Sequence, residues 1–592
     1  MRWVGLYARR PALLSFCLFC CAFATAAPDW VERSNAEAQD FVEVVGAFQP
    51  EALTMFGIEG FDTQVADLGP DAGNRFRAAV SKVRDDYQSR LNREENPFVR
   101  EDLAILIASA DDEIDQSLVQ EQYLLPFTDA GRRIYSGVFG LLKPDAAPER
   151  RVLALERLNR YVGLAPNTTA ITTLAQHRYT EAAATDPSRL APFVDEVERM
   201  LANTPRFIAG IRQMFDAPDF DAAAVAPALD RMEEILTAYD AWVRETVLPQ
   251  ARTDYRLPAP VYAQALRGFG LDIPPETLIQ RAQTSSAEIR QEMTALAVLI
   301  AEQNGWEDSN YRAVIARLKE EQLTADEVLP YYEDIIRQVE DIIRRERIVT
   351  LPDRAMSIRL GSEAENAAQP APHMLPPPLT GGTGEERGTF VLTSGTPPAE
   401  GEESETFDDF TFAAGTWTLT AHEGRPGHEL QFAAMVERGV SLARSFFAFN
   451  SVNVEGWALY AEAELKPYEP LEGQLIALQH RLLRASRAFL DPMLNLGLIT
   501  RDEAARVLRE DVGLSSAMVT QEVDRYTFRA PGQATSYFYG YQRLMALRTA
   551  TEVTLGAKFD RMAFNDFIIG QGLLPPELLA AAVRNEFIPS QQ

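Results

Sequence analysis

The chain has 592 residues, 46% hydrophobic and 24% charged, with 57 basic and 86 acidic side chains giving a formal charge of −29. That composition is globular rather than disordered or fibrous. So acidic a chain excludes ordinary recognition of a phosphate backbone, which needs a cationic face, and argues against docking on anionic lipid headgroups.

Arg2, Arg9 and Arg10 open the sequence, Pro11–Phe23 is mostly apolar, and Ala24-Thr25-Ala26 is an A-x-A cleavage pattern. Residues 1–27 therefore read as a secretory signal, with an apolar run short for an anchor. Cys17, Cys20 and Cys21 all lie in this segment, and Phe19 before Cys20 is bulky for a lipoprotein signal. The chain beyond offers no disulfide, thiolate nucleophile or cysteine-bound metal. No later apolar run reaches the roughly 18 residues of a membrane span. The expectation is an exported protein, periplasmic or secreted.

Residues 28–362 read as an N-terminal helical lobe. Glu149–Leu164 carries apolar residues at three- and four-residue spacing. Pro274-Pro275 starts another helix with Ile279, Ile289, Met293, Leu296 and Ile300 on its apolar positions, and Val328–Val349 gives a third. Proline suits a first turn, where its missing amide hydrogen is not needed. The intervening charges read as solvated faces. Residues 363–407 are rich in Pro, Gly and acids, and within them Gly388–Ser394 reads as one short strand. Such a strand, with Thr389 and Val391 on it, is expected to hold an extended substrate by backbone pairing. Residues 408–592 return to a helical pattern. The fold class is mainly α: a two-lobed helical body with a small β element next to the active-site helix.

The five histidines are His177, His373, His422, His428 and His480. Two fall in His422-Glu423-Gly424-Arg425-Pro426-Gly427-His428. This resembles the zinc-peptidase signature HExxH, with two extra residues between the histidines. In HExxH the imidazoles lie about 40° apart on one helical face, whereas a spacing of six separates them by about 240° on an unbroken helix. Pro426 has no N–H for the carbonyl of His422 and disrupts the preceding turn, and Gly424 and Gly427 permit unusual dihedrals. A break here returns His428 to the side of His422. Glu423 then sits beside a metal without ligating it, as a general base does.

Glu455-Gly456-Trp457-Ala458-Leu459-Tyr460-Ala461-Glu462 follows 27 residues after His428. Catalytic zinc commonly takes three protein ligands, and His₂Glu is a known set, so Glu455 is the expected third. Glu462, two turns on along much the same face, is placed to orient a ligand histidine from behind. In the segment from Asp524 to Tyr537, Tyr537 and Arg525 are candidates for stabilising an oxyanion, and Gln533 for contacting substrate. His480 lies on a strongly periodic helix and reads as a packed residue. His373 borders the expected cleft, and His177 reads as structural or exposed.

HEGRPGHELQ, EGWALYAE and RY…PGQATSY, in this order and preceded by GTFVLTS, resemble the bacterial domain-of-unknown-function 885 family. That family is similar to zincin metallopeptidases of the helical, deep-channel kind. The resemblance implies a Zn2+ site on His422, His428 and Glu455, with Glu423 as base and Tyr537 and Arg525 facing the substrate carbonyl or carboxylate. The sequence departs from the family pattern at Arg425, where an aromatic is usual, at Glu429, where a histidine is usual, and about Asn495, where a histidine is frequent. The expected activity is a zinc-dependent hydrolase of short peptides. The residues leave open a non-catalytic exported binding protein of the same build, or a metal-dependent hydrolase of non-peptide amides. Metal identity, natural substrate and oligomeric state are not legible.

Overall fold

The computed structural model describes residues 29–143, 146–379, 387–393 and 407–592. The expected signal segment with its three cysteines, and the acidic loop Gly395–Glu405, lie outside the described residues. Helices joined by short turns dominate, and none among the described residues is long and apolar enough to cross a membrane.

Local chemistry sets the helix limits. Pro275 occupies the first turn of Pro275–Asn304, and Gly305 closes that helix in the left-handed region at φ 69°. Ala325–Glu346 buries Val328, Tyr332, Ile335, Ile336, Val339, Ile342 and Ile343 along one stripe and leaves charges on the other. Each such side chain, fully buried, contributes about 1.5–3 kcal/mol through lost apolar exposure.

The hydrophobic cores do not follow the lobes read from the sequence. One core draws on residues 68–247, including Ile134, Leu158, Phe207 and Met232, and takes in Ala364 and Ala367. A second joins Phe41, Leu106 and Ile343 to Trp457, Leu465 and Phe564. A third joins Leu278, Met293 and Tyr332 to Phe390, Leu419, Leu482 and Phe538. Helices from both sides of the 363–407 segment therefore share two cores. Only the middle of the N-terminal stretch packs largely on itself.

The β element is a three-stranded sheet of β1 (Ser357–Leu360), β2 (His373–Leu375) and β3 (Thr389–Leu392), in the order β1-β3-β2. β1 pairs parallel to β3, with Ile358 opposite Phe390. β2 pairs antiparallel, with His373 opposite Val391. This corrects the expected solitary strand. β3 is central, so Thr389 and Val391 have no free backbone edge for substrate. The outer edges belong to β1 and β2. Both escaped the sequence reading because runs of four and three residues between Pro and Gly are too short to display a period of two. Residues 363–368 also form a short helix, capped reciprocally by Ser362 and Glu365.

Candidate metal centre

The helix Ala413–Glu423 ends at the Glu of the heptapeptide, and a new helix begins at His428. The intervening turn is tight. The Gly427 position abuts the end of the first helix: a Cβ there would lie 2.0 Å from the carbonyl oxygen of His422 and 2.3 Å from that of Ala421. Only glycine permits that approach. The Arg425–Pro426 peptide is cis. Trp457 Nε1 donates to the carbonyls of Pro426 at 3.0 Å and Gly427 at 3.3 Å, tying the turn to the helix Ser451–Leu465. Asn450 caps that helix by accepting from the Asn453 amide at 2.8 Å.

The broken helix brings the two imidazoles together, with ring centroids 4.8 Å apart and planes at 80°. Both Nε2 atoms face one oxygen of the next helix: Glu455 Oε2 lies 3.5 Å from His422 Nε2 and 3.3 Å from His428 Nε2. Glu423 Oε1 lies 3.9 Å from His422 Nε2. Ligand atoms of His422, Glu423 and His428 all fall within 4.8 Å of one another. Tetrahedral zinc with bonds of about 2.0–2.1 Å sets its ligand atoms about 3.3 Å apart. The spacing of Glu455 to both imidazoles matches that, and the longer reach to Glu423 does not. Glu455 Oε2 is buried with no hydrogen-bond partner, as is His428 Nδ1. A buried carboxylate oxygen without a donor is costly unless something positive completes it. The donor set thus fits a divalent cation held by His422, His428 and Glu455.

Glu462 Oε1 lies 2.7 Å from His422 Nδ1. Burial alone would raise the Glu462 carboxyl, but Arg484, at 3.2 Å, and His422 hold it down to about 2. An ionised carboxylate only accepts, so Nδ1 of His422 carries the proton and Nε2 faces the ligand position. Burial would lower His422, yet the nearby carboxylates of Glu455 and Glu462 raise it to about 9. Against burial, the two imidazoles hold Glu455 well below the ordinary carboxylate range.

Tyr537 stacks nearly parallel to His422, with ring centroids 6.1 Å apart. Its hydroxyl accepts from Arg525 at 2.8 Å, and Arg487 lies 4.6 Å from its ring centroid, bonded in turn to Glu522 at 2.6 and 2.7 Å. Burial raises the phenol pKa, opposed chiefly by Arg525. Tyr537 reaches this position because its helix crosses the Glu455 helix at Gly456 and Gly540; a Cβ on Gly540 would lie 2.0 Å from the Val452 carbonyl. Gln533 accepts from Arg525 and donates to Ser451 Oγ at 2.9 Å, with Glu455 Oε1 at 3.5 Å. Its contacts position Glu455 and Arg525 rather than leaving it free for substrate.

The structure therefore brings His422, Glu423, His428, Glu455, Glu462, Tyr537, Arg525 and Gln533 to one place. Thr389 and Val391 stand in the central β3; on the neighbouring β2, His373 Nδ1 donates to the Ala371 carbonyl at 3.0 Å and has Glu423 among its nearby carboxylates. His480 is buried against Phe410, and His177 is exposed. Asn495 braces the fold: its Nδ2 donates to Asp491 and to the Tyr526 carbonyl. Asp491 in turn accepts from Tyr262 at 2.9 Å and from the Gly532 amide, and burial pushes its carboxyl up to about 7. The sequence reading missed Arg484, Arg487 and Trp457. The first two carried a signal, since arginines three residues apart on a buried helix need buried anions.

The family profile described as "Bacterial protein of unknown function (DUF885)" matches residues 50–583. No curated protein matches the sequence. Among solved structures, a "putative lipoprotein" from Colwellia psychrerythraea superposes with a TM-score of 0.74 at 18% identity, covering 95% of this chain and 99% of that one. A "putative lipoprotein of unknown function" from Shewanella oneidensis gives a TM-score of 0.70 at 18% identity, covering 94% of this chain and all of that one. At this identity the likeness is one of fold.

Proposed function

The chain belongs to the bacterial DUF885 family, whose function is unknown, and for this member we propose a zinc-dependent hydrolase that cleaves short peptides or similar amides. One observation carries the reading: two imidazole Nε2 atoms converge at 3.3 and 3.5 Å on a buried Glu455 oxygen that has no other partner. His422, His428 and Glu455 would hold the ion, which when bound supplies a Lewis acid and a water of lowered pKa.

The protein groups supply the rest. Glu462, fixed by Arg484, orients His422. Glu423 lies beside the ligand cluster, where its carboxylate accepts a proton from the attacking water and returns it to the leaving amine. Tyr537, its hydroxyl held by Arg525, donates toward the carbonyl oxygen as negative charge develops there. The outer edge of β2, whose His373 lies near Glu423, suits backbone pairing with an extended peptide. Export is part of the proposal, supported by the Arg-led apolar N-terminal stretch and the lipoprotein naming of the structural neighbours.

The experiment is a peptide-library digest by zinc-reconstituted wild type and Glu423→Gln. Wild type is expected to cleave, and the variant to bind equal zinc and lose turnover by about 10²–10⁴-fold. Equal cleavage by both, or none by wild type, overturns the reading.

A further inference from the structure

We propose that a cavity at the far end of the turn opened by Arg525 binds a carboxylate of the substrate peptide, with Arg529 as its counter-charge. This rests on the hydrolase reading and narrows its substrate class to short peptides bearing a carboxylate downstream of the cleaved bond.

The cavity has a volume of about 130 Å³ and lies between the N-terminal helices and the turn that follows Arg525. Phe127, Arg132, Arg199, Asn203, Phe528 and Arg529 are among its walls. Three guanidinium groups around one small space stand out in a chain of charge −29. Two of them are engaged: Arg199 bonds Asp524 at 2.9 Å, and Arg132 donates to the Ala368 carbonyl at 3.2 Å. The Arg529 side chain makes no hydrogen bond or salt bridge among the described residues. Burial, with Arg199 and Arg132 nearby and Asp524 opposing, pushes it down to about 10.

The acidic groups in the wall do not cancel this charge. Asp129 caps the following helix by accepting the Arg132 amide at 2.9 Å, and burial raises its carboxyl pKa, disfavouring its charged form. Glu196 is pushed up to about 7 by burial, so near neutrality it repels an incoming anion weakly. A planar guanidinium largely withdrawn from bulk water, with Asp524 nearby but no anion bonded to it, is matched by a carboxylate, which accepts from it in bidentate fashion. Phe127 and Phe528 give the same cavity an apolar wall for a side chain.

Position ties the cavity to the chemistry. Arg525 and Arg529 open and close one five-residue π-helical turn. Arg525 bonds Tyr537, which stacks on the ligand His422. Arg529 stands four residues further, about one helical turn away. Extended peptide advances about 3.3–3.6 Å per residue, so a carboxylate at Arg529 leaves the scissile bond a few residues upstream.

The test measures peptide binding by calorimetry to zinc-loaded Glu423→Gln protein, which holds substrate without consuming it. Peptides of four to six residues are compared as free acids, as C-terminal amides, and as amides ending in Glu. The free acid is expected to bind at least tenfold tighter than the plain amide. Tight binding of the Glu amide assigns the carboxylate to a side chain, and weak binding assigns it to the C terminus. Adding Arg529→Gln is expected to bring the acid-to-amide ratio near one, while Arg529→Lys retains part of it. An unchanged ratio in Arg529→Gln with an unaltered melting curve overturns the proposal, as does equal binding of acid and amide to the parent. Turnover separates the two readings. Cleavage of acids and amides alike by wild type leaves the hydrolase standing and removes the carboxylate pocket. An acid preference in binding with no cleavage of any peptide does the reverse.

Discussion

Arg425 donates from Nε to Glu429 Oε2 at 2.7 Å, and both side chains are essentially inaccessible, at 1% and 0% exposure. These are two of the positions expected from the sequence to depart from the family resemblance, and the structure makes them one feature: a buried ion pair linking the turn between the histidines to the helix that follows. Arg425 also donates to Glu340 at 2.7 Å and to the Arg354 carbonyl at 2.9 Å, which anchors the turn to the helix Ala325–Glu346. Removing one member of a buried pair strands the other. Arg425→Met should therefore destabilise by about 3–5 kcal/mol, and adding Glu429→Leu should recover much of the loss. Urea unfolding of the two singles and the double checks this; simple additivity would show that the pair is not coupled.

Gly427 carries the close approach that aligns the second imidazole. In Gly427→Ala the new methyl meets the His422 carbonyl, so His428 must move. Zinc affinity should fall at least tenfold, about 1.4 kcal/mol, with helical content unchanged. Competition with a chromophoric chelator, alongside circular dichroism, measures both. Unaltered affinity would mean that the turn does not fix the ligand geometry.

Tyr537 is placed to act only as the carbonyl oxygen gains charge. Tyr537→Phe should keep zinc stoichiometry and lower kcat about 10²–10³-fold with little change in KM. Steady-state kinetics decide. A rise in KM at constant kcat would make Tyr537 a ground-state contact instead.

Glu469 is buried with neither carboxylate oxygen bonded, and burial, with Glu462 adding, pushes it up to about 8. Between about 4.5 and 8 the folded chain holds a proton there that the unfolded chain has released. Stability from this group therefore falls as pH rises through that window, by up to about 1.4 kcal/mol per pH unit, and is level above it. Glu469→Gln should raise Tm more at pH 8.5 than at pH 5. An equal gain at both would mean that Glu469 does not titrate in this range.

The mainly helical build was legible in the sequence, as was the break between the two histidines, while the strand pairing and the sharing of cores were not. The spacing of six between His422 and His428 excluded a continuous helix, and Pro426 between glycines marked the break, because those residues act through local backbone chemistry. Glu455 was expected from the known His₂Glu ligand set, and Glu462 from helical spacing two turns on. Arg484, Arg487 and Trp457 were not assigned, since their partners lie on other helices and only tertiary packing brings them together. The pairing of β1 and β2 with β3 was equally hidden: strands of four and three residues leave no periodic trace, and without them β3 looked like a free edge. The cores crossed the 363–407 boundary because apolar stripes state that a face is buried, not which helix covers it.

The central claim is that His422, His428 and Glu455 converge on one cation. Anomalous diffraction at the zinc edge, on crystals of the zinc-reconstituted chain, tests it most directly. The account predicts a single strong peak about 2.0–2.2 Å from Nε2 of both histidines and from a Glu455 carboxylate oxygen. Fully zinc-equilibrated crystals with no peak between these three side chains, or with zinc bound elsewhere, would contradict it.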